Sequence, residues 1–402
     1  VNHQEKRLIV LACFGHMVAH YNMAVFPALV LPLAGALGLG MAQVLSLSFW
    51  QYLLFGVSAL PWGLAGDRVG ARPLLYIMFL GSAVGAGAAA FRIDSPQGLA
   101  LALATMGLFS GIYHPIGMGI LSKGVGRLSV AMGYNAAFGG LGLVLAPLVT
   151  GIANWLAGPK APFLITMALN AIGLLLMIVC PLPTQGGHES AEQPEENDLR
   201  LGAFCILLLA TMLGGVAFTS ATVVFPSFLE LKGGAIVSAL GSLWSGGLSG
   251  NLVATTITAL VYSVGMVGQY VGGHMGDSHE PRFTYLLFHA MCVPAAALMA
   301  YASGVPLAGL AMVYFFFLLG TQAPENTLVA HYTPKRFHHS AFGFKFVLVF
   351  GVGSIGVKAA GWIETAYQVE TVFLALAAVS VAISATIVGL IALTPAARRA
   401  EA

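Results

Sequence analysis

Apolar residues run along this chain in twelve long stretches, separated by short clusters of charge, proline and glycine. The stretches lie at 8–33, 42–65, 73–91, 98–122, 130–156, 162–181, 201–229, 250–274, 283–302, 305–330, 340–363 and 370–394. Each approaches or exceeds the roughly 20 residues with which a helix crosses a bilayer core. Leu, Ala, Gly and Phe dominate them, without the in-and-out alternation of a membrane β-strand. The pattern predicts an all-α membrane protein with twelve transmembrane helices, because in lipid a helix satisfies its own backbone hydrogen bonds.

Composition agrees. With 17 basic and 15 acidic side chains among 402 residues, and 58% of residues hydrophobic, there is too little charge to cover a soluble protein of this size. A net charge of +2 offers no footprint for a nucleic-acid partner. Lys6 and Arg7 precede the first stretch, which is too long for the apolar core of a signal peptide and is expected to stay as the first span. The four cysteines, Cys13, Cys180, Cys205 and Cys292, stand singly and read as small buried residues rather than ligands or disulfide partners.

Charge in the loops gives an orientation. With both termini cytoplasmic, the inner side takes Lys6, Arg7, Arg68, Arg72 and eight further basic residues, and the outer side only Arg92, Lys160 and Lys232. The acidic, polar stretch 183–200 has no apolar periodicity and reads as a cytoplasmic linker. It divides a six-helix bundle at 1–182 from a second at 201–402. The two halves also repeat: Gly63-x-x-Gly66-Asp67-x4-Arg72 returns as Gly273-x-x-Gly276-Asp277-x4-Arg282, and Gly133-Tyr134 as Gly343-Phe344 at the same offset. The expected fold is therefore two pseudo-symmetric six-helix bundles.

Twelve spans in two parallel halves, with GLAGDRVGAR (63–72) after the second, resemble the major facilitator superfamily over essentially the whole chain. The resemblance implies a secondary transporter that works by alternating access. It implies that Gly63, Gly66, Asp67, Arg68 and Arg72, with Gly273, Gly276, Asp277 and Arg282, form conformational latches. Asp67 is then expected near Ser340 and Asp277 near Val130; Ser278 stands where the first copy has Arg68. A narrower resemblance, to the fosmidomycin-resistance type of proton-driven drug exporter, rests on GHMVAHYN (15–22), GLFSGIYHPIGMGILSK (107–123) and GFKFVLVFGVGSIGVKAAGW (343–362). His16, His114 and Pro115 fit it, whereas His20 and Ile116 stand where that family has acids. Gly142-x3-Ala146-Pro147 resembles the glycine-proline motif of antiporters, with alanine for its second glycine.

Ionisable residues inside spans are the sharpest site signal, since a charge at mid-bilayer costs about 2.5–3.5 kcal/mol on insertion scales. Glu325 and Lys345 are two such residues, and either a proton or an anion is expected to break a pair between them. His16 and His20 are i, i+4 on one helical face, and His114 precedes a proline that frees a backbone carbonyl. These histidines read as substrate-binding or proton-carrying groups, with hydrogen-bonded packing as the competing use and metal ligation a lesser one for the His16–His20 pair alone. Tyr113, Asn135 and Asn326 are expected to add neutral polar contacts. Gly351-x-Gly353-x-x-Gly356 lies within a span and reads as close helix packing, not as a nucleotide fingerprint.

The sequence thus predicts a cofactor-free transporter in a bacterial inner membrane, monomeric, with the proton as coupling ion. Its expected function is export of a small organic compound, an anion being favoured by Lys345 and the histidines. Uptake of a small anionic metabolite by symport or exchange is the alternative, and a non-transporting sensor or assembly factor a further one. No nucleophile, base and orienting group recur at a recognisable spacing, so an enzyme is not expected.

Overall fold

The computed structural model describes residues 3–179, 201–241, 247–333 and 338–394, and every regular element among them is helical. Among the described residues, eleven helices are long and apolar enough to span a membrane, and a pair bent by 42°, taken as one span, makes a twelfth. In chain order they are α1 (Gln4–Leu37), α2 (Met41–Val57 with Ala59–Val69), α3 (Ala71–Phe91), α4 (Pro96–Ser122), α5 (Val130–Ala157) and α6 (Lys160–Val179). The rest are α7 (Leu201–Lys232), α8 (Gly250–Ser278), α9 (Pro281–Met299), α10 (Gly304–Tyr332), α11 (Phe342–Ala366) and α12 (Val369–Leu393). Each of the twelve apolar stretches coincides with one of them. The linker expected at 183–200 and Cys180 lie outside the described residues.

The chain packs as two compact units. One comprises Val1–Gln193 with Asn251–Ala259, the other Pro194–Gly250 with Leu260–Ala402. In the first, α1 lies along α5, and α3 between α4 and α6, around a core that includes Val18, Met78, Phe79, Leu121 and Met177. In the second, α12 packs on α7 and α9 around Leu207, Tyr285, Val329 and Ile387. α6 turns Leu164, Ile165, Ile172, Leu175, Ile178 and Val179 outward, a face suited to lipid and not to water. Cys13 and Cys292 are buried, but Cys205 is exposed on α7, a correction to its reading as a buried residue. A thiol tolerates an outward position there because its neighbours on that face meet lipid instead of water.

Three sequence devices shape the elements near the candidate sites. Gly70 takes φ +80°, a conformation open to glycine, and ends α2 so that α3 can start at Ala71. Gly142 lets α5 approach α1 so closely that a Cβ there would collide with Met17 O. Close approach of this kind is how membrane helices gain packing energy without a hydrophobic driving force.

The third device is proline. Inside α4 one helix ends at Ser110 and the next begins at Tyr113, with Pro115 as its third residue. Inside α10 the same happens at Gly320 and Gln322, with Pro324 as the third residue. A proline lacks the N–H that would bond four residues back, so the ladder opens there.

Candidate functional site

In the first unit, α1, α4 and α5 bring together five of the residues singled out from sequence. His16 and His20 stand a turn apart on α1, and His114 lies in the first turn after the break in α4. His16 Nδ1 is 2.7 Å from Asn135 O; a carbonyl only accepts, so Nδ1 holds a ring proton and donates it. His16 Nε2 then faces His20 Nε2 at 3.1 Å. The Tyr113 ring stacks on His16 with centroids 4.9 Å apart, and its hydroxyl is within donating reach of Ala12 O at 2.7 Å and Asn135 Oδ1 at 2.5 Å. His114 meets both other imidazoles edge-on at 5.4 Å. Gly139 leaves room for the His16 ring, since a Cβ would stand 2.5 Å from His16 Cε1. His114 is buried, whereas His16 and His20 are half-buried.

A second polar cluster in this unit was not anticipated. Asn22 donates to Ser110 Oγ at 3.0 Å, Asn170 Nδ2 donates to Asn22 Oδ1 at 2.9 Å, and Gln51 Nε2 donates to Asn22 O at 3.1 Å. All four side chains are fully buried.

In the second unit, α9, α10 and α11 assemble a buried charge network. Lys345 Nζ is 2.6 Å from Glu325 Oε1, and both side chains are less than a tenth exposed. Tyr285 donates to Glu325 Oε2 at 2.8 Å, and Lys345 donates to Asn326 Oδ1 at 2.5 Å. The helix widens into a π-turn at Val347–Gly351, which begins two residues after Lys345, a form often found at functional sites. The wide turn brings Val349 O against α7, where a Cβ on Gly215 would overlap it. Gly353 and Gly356 press on the same helix at Gly215 O and Val216 O. Sequence reasoning missed Tyr285, which is fully buried, and its edge-on neighbour His289, 4.8 Å away. A tyrosine and a histidine four residues apart in an apolar span were the signal.

The repeated motif sits beside these clusters within each unit. A Cβ on Gly63 would lie 3.3 Å from Pro115 Cβ, and one on Gly66 would overlap Ile116, the residues next to His114. In the second unit Gly273 faces Ala323 and Gly276 faces Pro324, both at 3.5 Å, next to Glu325. Asp67, Arg68, Arg72 and Asp277 are exposed, Arg72 lying 6.0 Å over the Tyr76 ring. Arg282 differs. It is buried, paired with Glu280, and donates to Thr394 O at 2.9 Å at the end of α12. Ser278, in place of a second arginine, donates to His274 O at 2.7 Å. The side chain of Ser340, the expected neighbour of Asp67, lies outside the described residues.

Apolar helices broken at prolines, with buried ionisable groups beside those breaks, define an integral membrane protein, and the family to which the chain belongs implies a transporter. The sequence profile of the Major Facilitator Superfamily matches residues 12–357, and the chain belongs to that family. Solved transporters share the fold at low identity. A D-xylose–proton symporter superposes with TM-score 0.78 at 12% identity, covering 98% of this chain and 99% of its own. A bacterial homolog of the human lysosomal transporter Spinster, inward-facing and occupied, gives 0.76 at 13%, covering 98% of each chain. The nucleoside transporter NupG gives 0.72 at 14%, covering 98% of this chain and 100% of its own. A search of curated proteins finds no match.

Proposed function

We propose that this chain is a proton-coupled secondary transporter that exports a small organic compound by alternating access. The observation that carries the coupling is the buried Glu325–Lys345 pair with its partners Tyr285 and Asn326. A buried pair resists the loss of either charge, because the survivor stays unpaired in a medium of low dielectric; breaking one by removing a partner costs about 3–5 kcal/mol. Whatever neutralises or replaces one member therefore acts on the other. Export is supported by the sequence resemblance to drug exporters and by the motif at Gly142.

The pair ties the direction of transport to the charge of the substrate. A cationic or hydrogen-bond-donating substrate competes with the proton for Glu325, so the two occupy the site in turn, and an inward proton gradient drives export. An anion behaves oppositely. A proton on Glu325 frees Lys345 to receive it, the two bind together, and the same gradient drives uptake. The second reading, uptake of an organic anion, draws on this cooperativity. Within the export reading the substrate is accordingly a cation or a hydrogen-bond donor, not the anion that Lys345 favours in the sequence.

The deciding experiment measures fluxes of labelled organic cations and anions in proteoliposomes under an imposed pH gradient. The export reading expects cation movement against the proton flow, and Glu325→Gln reducing gradient-driven flux at least about 10-fold while counterflow exchange survives. Gradient-driven anion movement along with the proton would establish the uptake reading. Undiminished gradient-driven flux in Glu325→Gln would remove the pair from coupling.

A further inference from the structure

We propose that the first unit binds a divalent first-row transition-metal ion, zinc-like in its preferences, through His16, His20 and His114. This goes beyond the transport reading and is independent of the Glu325–Lys345 pair, which belongs to the other unit. The i, i+4 spacing of His16 and His20 supplies two ligands. The third, which spacing could not reveal, comes from the break in α4, and the ligating nitrogens of all three lie within 4.8 Å of one another. Among the described residues the group contains three imidazoles and no carboxylate. That donor set suits zinc, cobalt, nickel and copper and does not suit magnesium or calcium, which take oxygen ligands.

Several features prepare the nitrogens for a metal. Asn135 O holds the proton of His16 on Nδ1 and so directs the Nε2 lone pair inward, the outer-shell arrangement that orients metal-binding histidines. The two Nε2 atoms at 3.1 Å repel unless a proton or a metal ion lies between them. An ion at the usual zinc–nitrogen distance of about 2.0–2.1 Å from both subtends roughly 100°, near the tetrahedral angle. Binding transfers the shared proton from His20 Nε2 to its Nδ1 and requires no net proton loss. Tetrahedral nitrogens lie about 3.3–3.4 Å apart, so the His114 ring, with the nitrogens now within 4.8 Å of one another, closes the set by an inward shift of up to about 1.5 Å.

The surroundings keep the rings in place. Tyr113 stacks flat on His16, Phe55 meets His114 edge-on at 5.5 Å, and Gly139 leaves the space that His16 fills. His16 and His20 retain partial exposure. Three histidines leave a fourth position for water or an exchangeable ligand, the arrangement of an open rather than a structural site.

The test titrates Co2+ into chelator-stripped protein in nanodiscs, purified through a tag without histidine. One equivalent per chain is expected to produce intense visible d–d absorption of a tetrahedral ion. His20→Ala and His114→Ala are expected to weaken binding by about 100-fold or more, and His20→Asp to retain it with a shifted spectrum. Zn2+ should raise the unfolding temperature of the wild type and leave that of His114→Ala unchanged. An absence of tetrahedral bands in the wild type, or bands of equal strength in both alanine variants, would overturn the proposal. So would a zinc-induced thermal shift that survives in His114→Ala.

Discussion

Glu325 is enclosed by Lys345 on one carboxylate oxygen and Tyr285 on the other. Hydrogen bonds to charged groups contribute about 1.5–3 kcal/mol, so Tyr285→Phe is expected to destabilise the second unit by that order, read as a lower unfolding temperature in detergent. Glu325→Gln and Lys345→Gln should each destabilise more than their combination, because the double variant leaves no lone charge behind. Additive effects in that cycle would mean that the pair contributes no coupling energy. The charged members of this site were legible in the sequence, since any ionisable residue inside an apolar run stands out. Tyr285 and the Asn22–Ser110–Asn170 cluster were not. Hydroxyls and amides in such runs are common, and only the packing of separate spans shows which of them meet.

At the scale of elements, the spans were legible from length alone and the break in α4 from Pro115, but the breaks in α2 and α10 were not. Hydropathy averages over a window and passes across Ser58, Ile112 and Thr321 without a change, whereas the backbone bends or restarts at all three. Helix contacts make a sharper prediction. A Cβ at Gly107 would overlap the backbone of Gln51, which cannot move without shifting a helix, whereas a Cβ at Gly66 would meet only the flexible end of Ile116. Gly107→Ala should therefore cost about 1–3 kcal/mol by overpacking, and Gly66→Ala much less. A thermal-stability ranking in the reverse order would contradict these packing assignments. The same reasoning separates stability from function at the repeated motif, where Asp67 is exposed and its replacement by Asn should leave folding intact.

For the whole molecule, the distribution of basic residues predicts which loops face the cytoplasm. In a chain with its native cysteines replaced, a cysteine at Asp94, whose side chain is 83% exposed, is expected to react with a membrane-impermeant maleimide in intact cells. One at Arg68 should react only after permeabilisation, and the opposite pattern would invert the orientation. The internal repeat was visible in the sequence through its glycines and aspartates, which keep their spacing because backbone turns demand it. The correspondence of the prolines at 115 and 324 was hidden, since it is offset by one residue from that of the loops.

Around these two prolines the chemistry differs. The first unit carries an imidazole just before its proline, at His114, and the second an acid just after, at Glu325; the matching positions hold Ala323 and Ile116. The two units thus set unlike reactive groups beside alike backbone breaks, so the likeness between the halves is one of scaffold and not of chemistry.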